Sequence, residues 1–223
     1  PKTMRKLLRT SHRYISLLVS IQLLLWTASG LFFAFNKIQE VRGEHVIKRQ
    51  PITVDLGAFS SVIKEARRVR LASRLSQPIV VVTRDGGTDY LDQAGHPVAM
   101  LEPDDALNAV DLHTRLTPLS VETVTEETPG DEFRGRDLPL YRVIAVDESH
   151  TEHNVYINPY SSEVVAIRSL QWRIWDLMWG LHIMDWQARE DINNWPMKFF
   201  SVLALISAVT GIWLFFAARR AAS

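Results

Sequence analysis

Two long apolar segments enclose a polar central region in this chain. The first, Tyr14–Phe35, has 22 residues without a charge. As a helix it extends about 33 Å, enough to cross a hydrocarbon core of roughly 30 Å. The second, from about Phe199 to Ala218, reaches roughly 30 Å by the same rise. The pattern predicts two transmembrane helices. We interpret the first as an uncleaved anchor, because it is longer than a signal-peptide core and lacks a small-x-small cleavage site.

Charge is distributed asymmetrically around these segments. All 25 acidic residues lie between Glu40 and Asp191. The outer flanks are purely basic, with Lys2, Arg5, Lys6, Arg9 and Arg13 before the first segment and Arg219 and Arg220 after the second. Because Lys and Arg resist transfer across the membrane, this pattern places both termini in the cytoplasm. The expected protein is a two-pass protein of a bacterial inner (cytoplasmic) membrane, with its central module in the periplasm.

The central module alternates helical and strand patterns, which predicts an α+β fold built from two copies of a helix followed by antiparallel strands. The first copy has apolar residues at spacings of three and four over Asp55–Leu75, typical of an amphipathic helix. Its predicted strands are Ile79–Thr83, Asp89–Leu91 and Val98–Leu101. The second copy opens a helix at Pro103 and continues it over Ala106–Leu116. Its predicted strands are Val121–Glu126, Tyr141–Val146, Asn154–Ile157 and Glu163–Ile167.

This reading divides the chain into five parts. They are residues 1–39 (cytoplasmic N-terminus and first span), 40–102 (first unit), 103–169 (second unit), 170–196 (Trp-rich interfacial helix and turn) and 197–223 (second span and cytoplasmic C-terminus).

Several stretches carry a resemblance to a known family. Leu138–Val143, Val155–Pro159 and Glu163–Val165 resemble the final hairpin of PepSY domains. Ser11–Tyr14, Leu181-His182 and Thr210–Leu214 resemble the PepSY-associated transmembrane pattern. The resemblance implies two PepSY-like units bracketed by transmembrane helices. Larger relatives usually have four spans where this chain has two, and some of those relatives are taken to be haem-bearing iron–siderophore reductases.

An aromatic series precedes the second span. Trp172, Trp175, Trp179, His182 and Trp186 follow spacings of three and four, which predicts a single stripe on one helix. One interpretation is an interfacial belt at the lipid headgroups. The other is a rigid docking face for a second membrane protein, since Trp is enriched at interface hot spots.

Polar and small residues within the spans add a second candidate partner surface, because such residues in membranes usually mark helix–helix contacts. The simpler interpretation is that the two spans pack on each other, and the more specific one is that they also contact other subunits. The candidate residues are Gln22, Ser29, Gly30, Thr210 and Gly211.

Candidate chemistry is sparse. The absence of Cys excludes disulfides, thiolate catalysis and covalent c-type haem. The module's net charge of about −9 argues against nucleic acid as a partner. His150 and His153 have a spacing that can contribute to a zinc site, yet they lie in a predicted turn, so we expect no metal. His12 and His182 are possible haem b ligands, but opposite ends of a bilayer of roughly 30 Å separate them.

We therefore expect a non-catalytic accessory subunit without a cofactor. Its partners would be the lipid bilayer and a larger inner-membrane redox or transport complex, or further copies of itself. Two alternatives stay open: a haem b subunit of an iron–siderophore-type reductase that shares its haem with a partner subunit, and a peptidase-inhibiting or sensing module.

Overall fold

The computed structural model describes residues 2–48, 51–52 and 66–222. It divides into two compact units. The helical unit comprises Pro1–Lys37 and Ile174–Ser223, and the α+β unit comprises Ile38–Arg173.

The helical unit is a hairpin of two long helices with a shorter helix. Helix α1 spans Lys2–Phe35 and helix α5 spans Trp195–Ala222. Lys6–Phe35 and Trp195–Ala217 are long and apolar enough to cross a membrane, so the two predicted spans are confirmed as helices of that kind. The shorter helix of this unit is part of α4 (Leu170–Ile183), whose first turn lies in the α+β unit.

The less exposed residues of α1 and α5 recur at spacings of three and four, as in coiled coils. In α1 they include Val19 (2% exposed), Gln22 (6%) and Ser29 (1%). Large apolar residues elsewhere on both helices are exposed, among them Leu24 and Leu205. Each helix therefore has a seam toward the other and an apolar outer surface suited to lipid.

The α+β unit begins with two short helical segments, α2 (Ile38–Val41) and a 3₁₀ turn (Glu44–Val46). A three-stranded antiparallel sheet follows, in the order β1 (Arg68–Arg74), β2 (Gln77–Arg84) and β3 (Gly87–Leu91). Helix α3 (Pro103–His113) then leads into a four-stranded antiparallel sheet. Its strands, in order, are β4 (Thr117–Val124), β5 (Leu140–Val146), β6 (Glu152–Ile157) and β7 (Val164–Arg168).

The main core lies between α3 and the four-stranded sheet. Ala106, Ala109 and Val110 of α3 belong to one core cluster with Val143 and Val155 of the sheet, and all five are completely buried. At the edge of this core the Tyr141 hydroxyl donates to the Leu101 carbonyl oxygen at 2.6 Å, which ties the sheet to the segment before α3. The predicted second copy, a helix on antiparallel strands, is thus confirmed.

The predicted hairpin in this sheet is also confirmed. Tyr141 pairs with Ile157 and Val146 with Glu152 across β5 and β6. Between the strands, the Asp147 carboxylate accepts hydrogen bonds from the backbone N–H groups of Ser149 and Thr151, while His150 adopts a φ of 60°. Asp147 thereby provides the turn that the polar sequence indicates.

Two predictions for the first copy need correction. Arg68–Arg74 is a strand and not the end of a helix, because it pairs residue by residue with β2 through a turn at Leu75 and Ser76, both with positive φ. The earlier part of the predicted helix Asp55–Leu75, residues 55–65, lies outside the described residues. Val98–Leu101 is not a strand either. The isolated bridge beside it joins Leu91 to Pro97, the residue before this segment, and proline lacks the N–H that would extend a ladder.

Candidate functional site

A polar cluster joins α1 and α5 around His12. Its Nδ1 lies 2.8 Å from Oγ1 of Thr210, and Ser16 Oγ lies 3.3 Å from its Nε2. One turn further along, Ser16 and Ser207 share a hydrogen bond of 2.8 Å. Gly211 allows this approach, since a Cβ there would lie 3.3 Å from His12 Cε1. His12, Thr210 and Gly211 therefore fix the register of the helical hairpin.

A second cluster surrounds His182, near the other end of α1. Its Nδ1 lies 2.8 Å from Ser29 Oγ, and its backbone oxygen accepts a 2.7 Å hydrogen bond from Trp26 Nε1. The ring stacks on Trp179 at 6.4 Å and meets Phe33 edge-on at 5.6 Å. The Ser29 contact engages Nδ1 and orients the imidazole, so Nε2 is the ring nitrogen not used in this contact.

These two clusters do not fit one haem with both histidines as ligands. Both nitrogens of His12 already have hydroxyl partners in the seam. Ser29, which holds His182, lies 17 residues beyond His12 in α1. That spacing corresponds to about 26 Å along the helix axis, whereas one iron needs both axial nitrogens within a few ångströms.

The predicted tryptophan stripe is divided among different environments. Trp175 and Trp179 stack on each other at 5.8 Å, and Trp175 lies 5.0 Å from Phe33. Trp186 lies beyond Ile183, where α4 ends, and is 62% exposed. The prediction of one helical stripe is therefore wrong for Trp186. Met184, with a φ of 58°, ends the helix before that position is reached.

Trp172, at the start of α4, is held within the α+β unit. Two guanidinium groups lie over its ring, that of Arg168 at 4.3 Å from the ring centroid and that of Arg134 at 5.6 Å. Such cation–π contacts and an exposure of only 8% give this indole a packing role. Partner binding by Trp172 stays a prediction.

Glu132 organises the polar side of this region. Its carboxylate accepts hydrogen bonds from Asn154 Nδ2 at 2.9 Å and from the Tyr156 hydroxyl at 3.3 Å, and it pairs with Arg173. Burial and the nearby Glu132 charge raise the pKa of Tyr156 to about 12. Burial and the like charge of Arg136 lower the pKa of Arg168 to about 10.

The remaining candidate partner contacts in the spans differ in burial and in the space around them. Gln22 is buried in the seam, and its Nε2 has no hydrogen-bond partner among the described residues. Gly30 has no atom within 4 Å of the position that a Cβ would occupy. Of the predicted span contacts, Gly30 thus offers open space, whereas Thr210 and Gly211 are engaged within the hairpin.

An ion pair that was not predicted from the sequence closes the segment between α4 and α5. Asp176, with a side chain only 2% exposed, pairs with Arg189 at 2.6 Å. Gly180 permits this contact, because a Cβ there would lie 3.0 Å from Arg189 Cγ. The sequence signal was the acidic residue inside a Trp-rich helix, since an unpaired carboxylate at such a position is costly.

The turn after α4 is held by Asp185. Burial alone would raise its pKa, but backbone N–H groups of Glu190, Asp191 and Ala188 lower it below the usual range. Asn194 then accepts a hydrogen bond from the Met197 N–H at 2.8 Å and so caps α5. The segment is thereby an ordered polar turn at the start of the second span.

For metal ligation, the described residues offer no group of three or more His, Asp or Glu side chains. His150 is exposed in the β5–β6 turn, whereas His153 is buried, with its Nε2 3.4 Å from Asp147. The two histidines thus do not converge on a common site.

Comparison with known proteins gives one result. A family model described as "PepSY-associated TM region" matches residues 9–223. No curated protein and no solved structure matches the chain.

Proposed function

Because this chain belongs to the PepSY-associated transmembrane family, we propose that it is a non-catalytic accessory subunit of a larger membrane complex of the redox or transport type. It crosses a bacterial inner membrane twice and holds its α+β unit in the periplasm. The proposal keeps the topology predicted from the basic flanks and adds a specific docking surface.

The observation that supports docking is the exposed apolar surface of the helical unit outside its two long helices. Ile174 and Leu177 are 42% and 48% exposed on the side of α4 roughly opposite Trp175 and Trp179. Trp186 is exposed in the turn that follows. Large apolar side chains outside the spans are costly in water, and clusters of them mark interaction surfaces.

The hairpin seam supports the choice of this surface over the polar residues of the spans. The His12 imidazole and the hydroxyls of Ser16, Ser207 and Thr210 hydrogen-bond across the seam, while large apolar residues of both helices are exposed on the outer surface. A partner within the bilayer would therefore meet mainly aliphatic side chains, with Gly30 as the point of closest approach.

Purification of the full chain in mild detergent, with co-purifying chains quantified, tests the proposal. Wild-type protein should carry a partner at a fixed ratio. The double substitution Ile174→Ser and Leu177→Ser should remove that partner without preventing membrane insertion. Leu119→Ser, which alters an exposed leucine of β4, is the matched control and should retain it. A wild-type protein that runs without any stoichiometric partner contradicts the accessory role.

A haem b ligated by His182 is the second candidate. Its supporting observation is the Ser29 contact, which orients Nδ1 and leaves Nε2 for an iron whose other ligand comes from a partner subunit. Under this hypothesis the purified complex shows a Soret band that His182→Ala abolishes and His12→Ala preserves. A colourless complex rejects it.

A further inference from the structure

One face of the three-stranded sheet carries polar side chains in register. Arg68 of β1 pairs with Thr83 of β2, which pairs with Thr88 of β3. Two residues along, Arg70, Val81 and Tyr90 form the next row of the same face. Because side chains alternate between the faces of a strand, both rows point in the same direction.

This face forms the floor of a cleft within the α+β unit, here called the sheet cleft. Its opposite wall comes from the Gly135–Leu140 segment with Asn158 and Glu163. The cavity measures about 250 Å³, and an adjoining cavity of about 280 Å³ shares Thr88, Tyr90, Asp137 and Asn158 with it. The second cavity runs along β3 from Gly87 toward Tyr160. The sheet cleft is therefore elongated.

Its polar groups are held in place. The Tyr90 ring stacks on Tyr160 at 5.2 Å, and its hydroxyl accepts a 2.8 Å hydrogen bond from Asn158 Nδ2. Arg70 is engaged in an ion pair with Glu163. These contacts fix the floor and leave Arg68, Arg136 and Asp137 as the remaining charged groups of the lining, all exposed.

The sign and number of these charges select the ligand. Two guanidinium groups beside one carboxylate carry a net single positive charge, which matches one carboxylate better than a phosphate dianion. Guanidinium groups also bind carboxylates through paired hydrogen bonds, which are stronger than bonds between neutral groups.

The elongated part of the sheet cleft follows an edge strand. β3 pairs with β2 on one side; on its other side, Pro97 forms a bridge with Leu91 and the Val98 N–H donates to the Tyr90 carbonyl oxygen at 2.9 Å. The part of this edge that lines the cavity ahead of these contacts is Gly87–Thr88. An extended peptide can add to such an edge through main-chain hydrogen bonds, with side chains and termini recognised by neighbouring pockets.

We propose that the sheet cleft binds the C-terminal end of an extended peptide. The terminal carboxylate meets Arg68 and Arg136, the peptide backbone lies along Gly87–Thr88 of β3, and the stacked Tyr90 and Tyr160 form the apolar wall beside it. This site is separate from the docking surface on α4 and does not depend on the accessory role.

Calorimetric titration of the full chain in lipid nanodiscs tests the site with three probes: tetra-alanine, tetra-alanine amide and inorganic phosphate. Tetra-alanine should bind with a saturable signal, and amidation of its C-terminus should weaken binding by at least about tenfold, since it removes the charged hydrogen bonds. Arg136→Gln and Arg68→Gln should each weaken it by about the same factor.

Arg67→Gln is the matched control. It removes the same charge one residue before β1, where Arg67 pairs with Asp85, and tetra-alanine should bind it as it binds the wild type. Circular dichroism verifies that each variant is folded. Equal binding of the amide, an equal loss with Arg67→Gln, or saturation by phosphate but not by tetra-alanine overturns the proposal. Absence of saturable tetra-alanine binding up to about 10 mM also overturns it.

Discussion

His12 Nδ1 and Thr210 Oγ1 lie 2.8 Å apart although 198 residues separate them in the chain. Ser16 and Ser207 repeat the contact one turn deeper in α1. Two such contacts in sequence define an antiparallel register, so the beginning of α1 and the end of α5 lie at the same end of the hairpin. The contacts agree with the topology that the basic flanks predict, in which both ends face one compartment.

Loss of this contact should loosen the hairpin. In a double-mutant cycle of His12→Ala and Thr210→Val, we expect a coupling energy of about 0.5–1.5 kcal/mol, the range of hydrogen bonds between membrane helices. Unfolding in a detergent–SDS titration measures it. Thr27→Val is the control, since among the described residues that hydroxyl donates to the Leu23 carbonyl oxygen of its own helix and not across the seam. A coupling energy of zero would mean that the contact does not contribute to stability.

The tryptophans of α4 should differ in what they stabilise. Trp175→Ala removes a ring packed on Phe33 and Trp179 and should cost about 1–3 kcal/mol in the same unfolding titration. Trp186→Ala removes a largely exposed ring and should change stability by less than about 0.5 kcal/mol.

Partner binding and stability together distinguish a docking role of these residues from the packing role that their contacts with Phe33 indicate. If Trp175 and Trp179 form a docking face, Trp175→Ala and Trp179→Ala release a partner while hairpin stability stays at the wild-type value. If they are packing residues, both substitutions lower the stability of the hairpin. Wild-type stability in both variants would therefore contradict the packing interpretation.

The α+β unit should lose stability in mild acid through His113. Burial lowers the pKa of His113 below its usual value of 6.5, although the Glu163 charge opposes the shift. The unfolded chain therefore takes up a proton near pH 6.5 that the folded chain resists until lower pH. His113 thus contributes stability above pH 6.5 that is lost as the pH falls below that value.

Thermal unfolding at pH 7.5 and 5.5 measures this effect. His113→Gln should reduce the fall in Tm between the two pH values, whereas His45→Gln, which alters an exposed histidine, should not. An unchanged pH dependence in His113→Gln would assign the acid sensitivity to other groups.

Membrane orientation is tested by reporter fusions. Alkaline phosphatase should be active when fused near Gly130 and inactive when fused at Ser223, because the enzyme matures only in the periplasm. The reverse pattern would place the α+β unit in the cytoplasm and remove the basis of the proposed periplasmic function.

Elements were predicted correctly where the local sequence pattern and the tertiary contacts favour the same structure. The β5–β6 hairpin has alternating apolar residues around an Asp-centred turn, and both signals agree with the observed pairing. Arg68–Arg74 shows the opposite case. Its residues fit a helical period as well as an alternating one, and pairing with β2 decided between them.

The surroundings of the candidate site residues were harder to predict from the sequence than the secondary structure. The spacing of Trp175, Trp179 and His182 correctly put them on one side of α4, but nothing local indicated that Phe33 of another helix would meet them. Trp186 fitted the same spacing, yet the helix ends at Ile183. The length of an amphipathic pattern therefore overestimated the length of the helix.

Strand β4 forms an outer edge of the four-stranded sheet, and an open edge can recruit strands from other copies of the chain. Pro118 has no N–H to donate, the pairing with β5 shifts between Pro118 and Ser120, and Glu122 forms an ion pair with Arg142 of β5. A proline and an irregular register disfavour pairing of this edge with a strand from another copy of the chain.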